Sequence, residues 1–393
     1  MTAKSRAIPV LLTAAATQFA AGIGFWSFGL LAPELAVETG LNERDFGLSI
    51  TFTFLGTLLS SPFTGAYIRR FGGPGAMVRF ISIMIGAVLL VLSGTWTGAM
   101  LAAFCFGLGY GPQGPMGMTL VTQNTDPSQR GLFLALRHST VPLAAGIAGR
   151  ALPPFMIWVG WQAGILSVAG VLALALLLSL LTRPWLQIEA APARPGGALA
   201  RFKGIFEIPE NLRFLWSIGM VFALTQTAVT MFSYIYLLEV VGLSAIAAGI
   251  FASNLHLTAL FGRPALGWLT DRIGNAQMVL AGIAMTSVIA MVWLLQVGED
   301  TAAWVLIPIA IACGVSGQCW NSVFVTAMSF RIETEDLADL NGRAFAFLSI
   351  GWLMSPPIIW SLIELTGGYT IPLAGIAVMN AVVTCVLLLI RGR

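Results

Sequence analysis

The chain of 393 residues is 57% hydrophobic, only 9% of its residues are Asp, Glu, Lys or Arg, and its net charge is +3. Because soluble proteins carry roughly 25% charged residues, this composition excludes a soluble globule, a disordered chain and a nucleic-acid-binding protein. A mean hydropathy of +0.87 predicts an integral membrane protein, and the lack of period-two alternation favours helices over a membrane β-barrel. The four cysteines lie in apolar segments without zinc or redox spacing, so we expect no metal and no cofactor.

An apolar helix of roughly 20 residues crosses the hydrocarbon core of a bilayer. Twelve apolar segments reach this length, and we number them spans 1 to 12. Their predicted ranges are 8–31, 46–68, 76–95, 98–121, 131–158, 162–182, 212–238, 244–268, 277–297, 302–328, 343–365 and 370–390. The polar segment 183–211 divides them, so we expect an N-terminal six-helix bundle (1–182), a cytoplasmic linker (183–211) and a C-terminal six-helix bundle (212–393).

The basic residues predict the orientation, because Lys and Arg accumulate in the cytoplasmic loops of membrane proteins. With both termini in the cytoplasm, sixteen of the twenty Lys and Arg residues fall at the inner face and only Arg44 lies in an outer loop. The other three, Arg137, Arg150 and Arg263, lie within predicted spans. We therefore expect cytoplasmic N- and C-termini.

An internal repeat relates the two sets of six spans. A shift of 202 residues aligns span 2 and the loop after it with span 8 and its loop. The matching pairs are Leu41 with Leu243, Gly47 with Gly249, Pro62 with Pro264, Gly65 with Gly267, Arg70 with Arg272, and Gly72 with Gly274. Parallel repeats of six helices are one way in which secondary transporters are built.

The loop motifs carry a family resemblance. The segment GWLTDRIG (267–274) resembles the G-x-x-x-D-R-x-G signature of the major facilitator superfamily, and GAYIRRFG (65–72) is similar to its degenerate copy. The segment DPSQRG (126–131) also looks like that superfamily. The resemblance covers the whole chain and implies an all-α fold of two six-helix bundles that rock about a central site. It also implies a monomeric secondary transporter in the inner membrane of a bacterium.

The resemblance implies an inner gate built from Gly65, Arg69, Arg70, Arg130, Gly267, Asp271 and Arg272. Small glycines let helix ends approach closely, and an Asp there can accept from the start of a neighbouring helix. We expect Asp271 to meet the start of span 5, with Arg130 nearby. The first half has Arg69 at the acidic position, so the partners expected for Arg69 and Arg70 are Glu333, Glu335, Asp336 and Asp339. The alternative is that these are ordinary solvated loop charges.

The buried charges favour an anionic substrate. Three Arg and two His lie within predicted spans, but no Asp or Glu lies in the middle third of any span. An ionisable residue in lipid is costly, so its partner can be a carboxylate that arrives with the substrate and binds a guanidinium at two points. For Arg137 the alternatives are bonds to main-chain carbonyls and a role in the inner gate. Arg263 can instead be structural.

His256 can be a hydrogen-bonding lining residue, a proton-coupling site or a packed core histidine. The other candidates follow from the spans that line the cavity in this family. The expected substrate-binding residues are Trp26, Gln113, Arg137, His138, Gln226, Tyr234, Asn254, His256, Arg263, Trp320 and Asn321, together with Gln18 and Gln318 as further lining residues.

These observations predict a secondary active transporter of a small, carboxylate-type organic anion, with a proton or a counter-substrate as the coupling partner. The alternative is an efflux carrier for an amphipathic or drug-like compound. The segment VPLAAGIAG (141–149) only loosely resembles the antiporter signature of the superfamily, and close helix packing explains it. The inner loops contain no paired metal motif, Ser-His-Asp set or phosphate loop, so we do not expect an enzyme.

Overall fold

The computed structural model describes residues 3–31, 37–38, 43–185, 188, 198–243, 245–332 and 337–389, and within these ranges it contains helices and no strands. Span 1 is Ala3–Leu30. Span 2 is Glu43–Ser60, the 3-10 turn Ser61–Phe63 and the start of Thr64–Leu90, and span 3 is the remainder of that helix with the turn Val91–Ser93. Spans 4, 5 and 6 are Trp96–Gln123, Arg130–Val159 and Trp161–Leu181.

Spans 7 and 10 of the second half are each interrupted by a π-helical turn. Span 7 consists of Glu210–Thr227, the π turn Ala228–Phe232 and Ser233–Glu239, and span 10 of Ala303–Gly314, the π turn Val315–Cys319 and Trp320–Ser329. Spans 8, 9, 11 and 12 are Ala245–Ile273, Ala276–Leu294, Leu337–Thr366 and Thr370–Leu389. The shorter elements are the 3-10 turns Pro127–Gln129 and Arg183–Trp185 and the helix Ala198–Gly204.

The twelve predicted spans are confirmed. Among the described residues, nine helices are long and apolar enough to cross a membrane, and one of them, Ser49–Ser93, contains both span 2 and span 3. Spans 4 and 8 complete the set. They are the helices Trp96–Gln123 and Ala245–Ile273, which are 28 and 29 residues long.

The internal repeat is visible in the backbone. Gly72 and Gly274, which the 202-residue shift aligns, have φ angles of 69° and 67°. Glycine adopts a positive φ at a lower energetic cost than any other residue. At these two glycines the chain reverses between spans 2 and 3 and between spans 8 and 9. We call the end of the bundle that holds these two turns the inner face, following the predicted orientation.

Close helix contacts are made at small residues. An added Cβ atom at Gly56 on span 2 would lie 2.3 Å from the oxygen of Phe104 on span 4, and one at Gly107 would lie 2.0 Å from the oxygen of Thr53. Between lipid-embedded helices, such close backbone approach supplies the packing energy that the hydrophobic effect supplies in water. The two spans are therefore held together by glycine.

The two sets of six spans meet along two seams. Span 2 packs against span 11, and span 5 packs against span 8. Of the predicted linker, residues 186–187 and 189–197 lie outside the described residues. The domain boundaries at 182 and 212 stay a prediction.

Candidate functional site

A cavity of about 1330 Å³ lies between the two sets of spans. Its walls come from spans 1, 2, 4 and 5 on one side and from spans 7, 8, 10 and 11 on the other. It extends to Glu239 and Glu364, close to the outer ends of spans 7 and 11. At its other end the lining includes Met328 and Asn341, near the inner ends of spans 10 and 11.

Aromatic side chains form much of the cavity wall. Phe54 stacks on Trp352 with ring centroids 5.5 Å apart, and Phe345 meets the same indole edge-on at 5.4 Å. Trp26 lies edge-on to His256 at 5.2 Å. Such a wall can hold a substrate with an apolar body.

Arg263 lines the cavity and is the cation closest to it. Its Nε and Nη2 atoms donate to the main-chain oxygen and the Oε1 atom of Gln318 at 2.8 Å and 3.0 Å. Its Nη1 atom donates to the main-chain oxygen of His138 on span 5. The side chain is only 2% exposed, and all three of these acceptors are neutral.

Arg137 is not part of the described lining of the cavity, and its expected role in substrate binding stays a prediction. Its side chain is 0% exposed, and its Nη2 atom donates to Gln18 Oε1 at 2.6 Å and to the main-chain oxygens of Gln113 and Gly114 at 3.4 Å and 3.1 Å. Gln18 and Gly114 do line the cavity. Arg137 therefore lies one layer behind the wall, where its Nε and Nη1 atoms find no hydrogen-bond partner among the described residues.

The structure brings several of the other expected residues to the cavity and leaves some away from it. The lining includes Trp26, His138, Gln226, His256 and Asn321, and also Gln18 and Gln318. Gln113, Tyr234, Asn254 and Trp320 are not part of the described lining, and their expected role in substrate binding stays a prediction.

Three of these four residues lie away from the described lining for different reasons. Gln113 is buried in the packing of span 4, and its side-chain amide has no partner in the described part of the chain. Trp320 is fully buried and stacks on Phe222 at 5.5 Å. Tyr234 and Trp320 both come shortly after a π turn, which rotates the following side chains around the helix axis.

Gln226 holds a group of hydrogen bonds at the cavity wall. Its Oε1 atom accepts from Trp320 Nε1 at 3.2 Å, from Asn321 Nδ2 at 3.2 Å and from Trp352 Nε1 at 3.3 Å. Sequence reasoning missed Trp352, because an indole in an apolar span looks like any other packing residue. Its position opposite spans 7 and 10 shows only in the tertiary structure.

On the side of span 2, an ion pair at the inner face joins Arg69 Nη1 of span 2 to Asp339 Oδ2 of span 11 at 3.1 Å. Gly65 lies directly beneath it, where an added Cβ atom would overlap Asp339 Oδ1. Asp339 is one of the four acids expected to meet Arg69. The other three, Glu333, Glu335 and Asp336, lie outside the described residues.

On the side of span 8, the Oδ2 atom of Asp271 accepts from the main-chain nitrogen of Leu132 at 3.2 Å, at the start of span 5 as expected. The main chains meet closely here, because an added Cβ atom at Gly267 would lie 3.0 Å from the oxygen of Gly131. Arg130 Nη1 donates to the main-chain oxygen of Ser329 at 3.3 Å. It therefore ties span 5 to the inner end of span 10.

The last two residues of the expected gate make only local contacts among the interactions described for them. Arg70 and Arg272 are exposed. Each lies over an aromatic ring of its own helix, Phe71 and Trp268, at 5.2 Å from the ring centroid. Gating roles for the whole set remain a prediction.

Comparison with known proteins agrees with this architecture. The family profile described as Major Facilitator Superfamily matches residues 14–356. The probable nitrate/nitrite transporter NarK2 of Mycobacterium tuberculosis is 25% identical over 390 residues, which cover 94% of each chain. The membrane sensor protein UhpC of Salmonella typhimurium is 23% identical over 302 residues, covering 68% of this chain and 66% of UhpC.

Two solved structures show the same fold at low sequence identity. The human organic anion transporter MFSD10 superimposes with a TM-score of 0.75 at 14% identity, covering 98% of this chain and 100% of that one. The fucose:proton symporter FucP of Escherichia coli gives a TM-score of 0.74 at 17% identity, with 98% and 99% coverage. At these identities, the likeness establishes the fold alone.

Proposed function

Because this chain belongs to the major facilitator superfamily and is an integral membrane transporter, we propose that it carries a small organic anion of the carboxylate type. The observation that supports this most directly is the charge of the cavity. Arg263 lines it and Arg137 lies just behind Gln18, whereas the carboxylates in the described lining, Glu239 and Glu364, are at its outer end. A carboxylate placed between aromatic walls and Arg263 would neutralise a charge that the protein itself leaves with neutral partners.

The transport cycle follows from the two seams. The Arg69–Asp339 ion pair and the Asp271–Leu132 contact join the two sets of spans at the inner face, and the cavity reaches Glu239 and Glu364 near the outer ends of spans 7 and 11. In the proposed cycle this is the outward-facing conformation, and rocking of spans 1–6 against spans 7–12 breaks both contacts. The protein is proposed to act as a monomer in a bacterial inner membrane with both termini cytoplasmic.

The name of one relative is consistent with an anionic substrate, since NarK2 is described as a probable nitrate/nitrite transporter. Here the aromatic wall and the volume favour a larger anion than nitrate. Coupling is proposed to occur by exchange or through His256, which lines the cavity and whose Nδ1 atom has no partner in the described chain.

A thermal-shift screen of the purified protein in detergent tests this proposal. The ligands are the anions acetate, benzoate and succinate, with tetraethylammonium and glucose for comparison. The control variant Arg150→Ala removes an exposed arginine of span 5 and should respond to the ligands as the wild type does. A ligand that binds only the folded protein stabilises it by about 2.7 kcal/mol at one hundred times its dissociation constant. We expect at least one of the three anions to raise the melting temperature. A shift produced only by the cation or the sugar refutes the proposal.

The second candidate is efflux of an amphipathic compound, and the observation that favours it is the cavity itself. A volume of about 1330 Å³ is above the range of about 300–1,000 Å³ common for ligand pockets. Stabilisation by a lipophilic cation such as tetraphenylphosphonium, with none from the anions, would favour this candidate.

A further inference from the structure

Three side chains of spans 10 and 11 donate to a single oxygen atom. Trp320 Nε1, Asn321 Nδ2 and Trp352 Nε1, which we call the donor triad, lie within 3.2–3.3 Å of Gln226 Oε1. An indole N–H can only donate, so the geometry fixes the oxygen of Gln226, and not its nitrogen, toward the triad.

The single oxygen of the Gln226 amide cannot form three strong hydrogen bonds with the triad. A neutral amide oxygen has two lone pairs, and all three hydrogen bonds are longer than the usual 2.9–3.0 Å. An ionised carboxylate oxygen forms shorter and stronger bonds to N–H groups. The triad therefore suits an anionic oxygen better than it suits Gln226.

The position of the triad relates it to the rest of the cavity. Gln226 comes just before the π turn Ala228–Phe232, and Trp320 comes just after the π turn Val315–Cys319. Such turns are frequent at functional sites. Gln318, on the second of these turns, is also the residue that binds Arg263. One segment of span 10 thus positions two members of the triad, Trp320 and Asn321, together with the cavity arginine.

We infer that the donor triad is a second oxygen-binding subsite of the transport cavity, and that Gln226 and an oxygen of the substrate compete for it. The inference rests on the proposed anion transport and narrows its substrate class. The anionic group that binds at Arg263 and the oxygen that binds at the triad belong to one molecule. The substrate is therefore a dicarboxylate, or a carboxylate with a second oxygen acceptor, whose body lies against Phe54, Phe345 and Trp352.

Competition by Gln226 has an unusual consequence. Gln226→Ala removes a side chain from the cavity wall. It should nevertheless tighten dicarboxylate binding by about threefold to tenfold, because the substrate oxygen no longer has to displace the Gln226 amide from the triad. Trp352→Phe keeps an aromatic ring opposite Phe54, although a smaller one, and removes one N–H. It should weaken dicarboxylate binding about tenfold, the value of one charged hydrogen bond, and change monocarboxylate binding less than about twofold.

The experiment is calorimetric titration of the purified full-length protein with two matched pairs, benzoate with terephthalate and butyrate with succinate. Within each pair the second carboxylate is the main difference. The control is the variant Trp304→Phe. Trp304 lies on span 10 and is 73% exposed, so this substitution should leave every affinity unchanged. Monodispersity in detergent verifies the fold of each variant, and Asn321→Ala replaces Trp352→Phe if that variant does not fold.

The inference is supported if one dicarboxylate binds more tightly than its partner, Trp352→Phe removes that advantage and Gln226→Ala increases it. It is overturned if the wild type binds anions but shows no dicarboxylate advantage, or if the variants change both members of a pair equally. In those cases anion transport still stands. If no anion of the titrations or of the thermal screen binds, the proposed function itself is wrong, and the subsite is wrong with it.

Discussion

The guanidinium of Arg263 on span 8 donates a hydrogen bond to the main-chain oxygen of His138 on span 5. This bond crosses the seam between the two sets of six spans. An anion that binds Arg263 competes with the His138 carbonyl for the same donors. If the proposed anion binds at Arg263, this one side chain would relate occupancy of the cavity to a contact between spans 5 and 8.

Replacement of Arg263 tests its role in binding. Loss of a buried charged hydrogen-bonding partner costs about 2–5 kcal/mol, so Arg263→Ala should weaken anion binding by roughly thirtyfold or more. Arg263→Lys should recover only part of this affinity, because an ammonium lacks the planar two-point geometry. Calorimetric titration with the tightest anion of the thermal screen measures both. Unaltered affinity in Arg263→Ala, beside the Arg150→Ala control, would remove Arg263 from the site.

Arg137 calls for a different substitution because it is buried behind the wall. Two of its nitrogen atoms have no partner among the described residues, and a buried charge without a counter-ion destabilises a fold. Arg137→Met keeps most of the volume and removes the charge. We expect it to melt at or above the wild-type temperature, and to bind anions about tenfold less tightly through loss of long-range attraction. A clear drop in melting temperature with unchanged affinity would instead make Arg137 a structural donor.

The Arg69–Asp339 ion pair should bias the inner face toward closure. The pair is partly exposed, with side-chain exposures of 17% and 8%, and such pairs contribute about 0–1 kcal/mol. Arg69→Ala should therefore raise the inward-open population by at most about fivefold. Distances between spin labels placed across the inner face measure this. The charge exchange of Arg69→Asp with Asp339→Arg should restore closure, and a failure to do so would show that the pairing does not set the equilibrium.

Asp271 should act at the other seam through the start of span 5. Asp271→Asn keeps an oxygen for the Leu132 amide but removes the negative charge, which weakens the charge-assisted bond and its interaction with the positive helix end. Folding should be retained, with slower uptake into proteoliposomes and greater reactivity of inner-face cysteine probes. Asp300→Asn, in the exposed loop after span 9, is the matched control. Equal uptake and equal reactivity in the two variants would remove Asp271 from the gate.

The sequence alone determined the number of spans, the repeat and the sign of the buried charge. These properties belong to segments about 20 residues long. Because a segment in lipid must expose apolar side chains, they can be identified without tertiary information. The repeat could be recognised at Gly72 and Gly274 because few residue types tolerate a positive φ at a tight turn, so glycine is found at both positions. Motif reasoning likewise placed Asp271 beside span 5 and included Asp339 among the four acids expected to meet Arg69 and Arg70.

The direction of each polar side chain, toward the cavity or away from it, could be read only from the packed helices. A side chain's direction depends on the rotation of its helix, and each π turn adds a residue that rotates the remainder of the helix by about 100°. Trp320, after such a turn, is buried, while its neighbour Asn321 lines the cavity. Arg137 and Arg263 look alike in the sequence as single cations within apolar spans. The position of Gln18 in front of Arg137, set by the packing of span 1 on span 5, separates them.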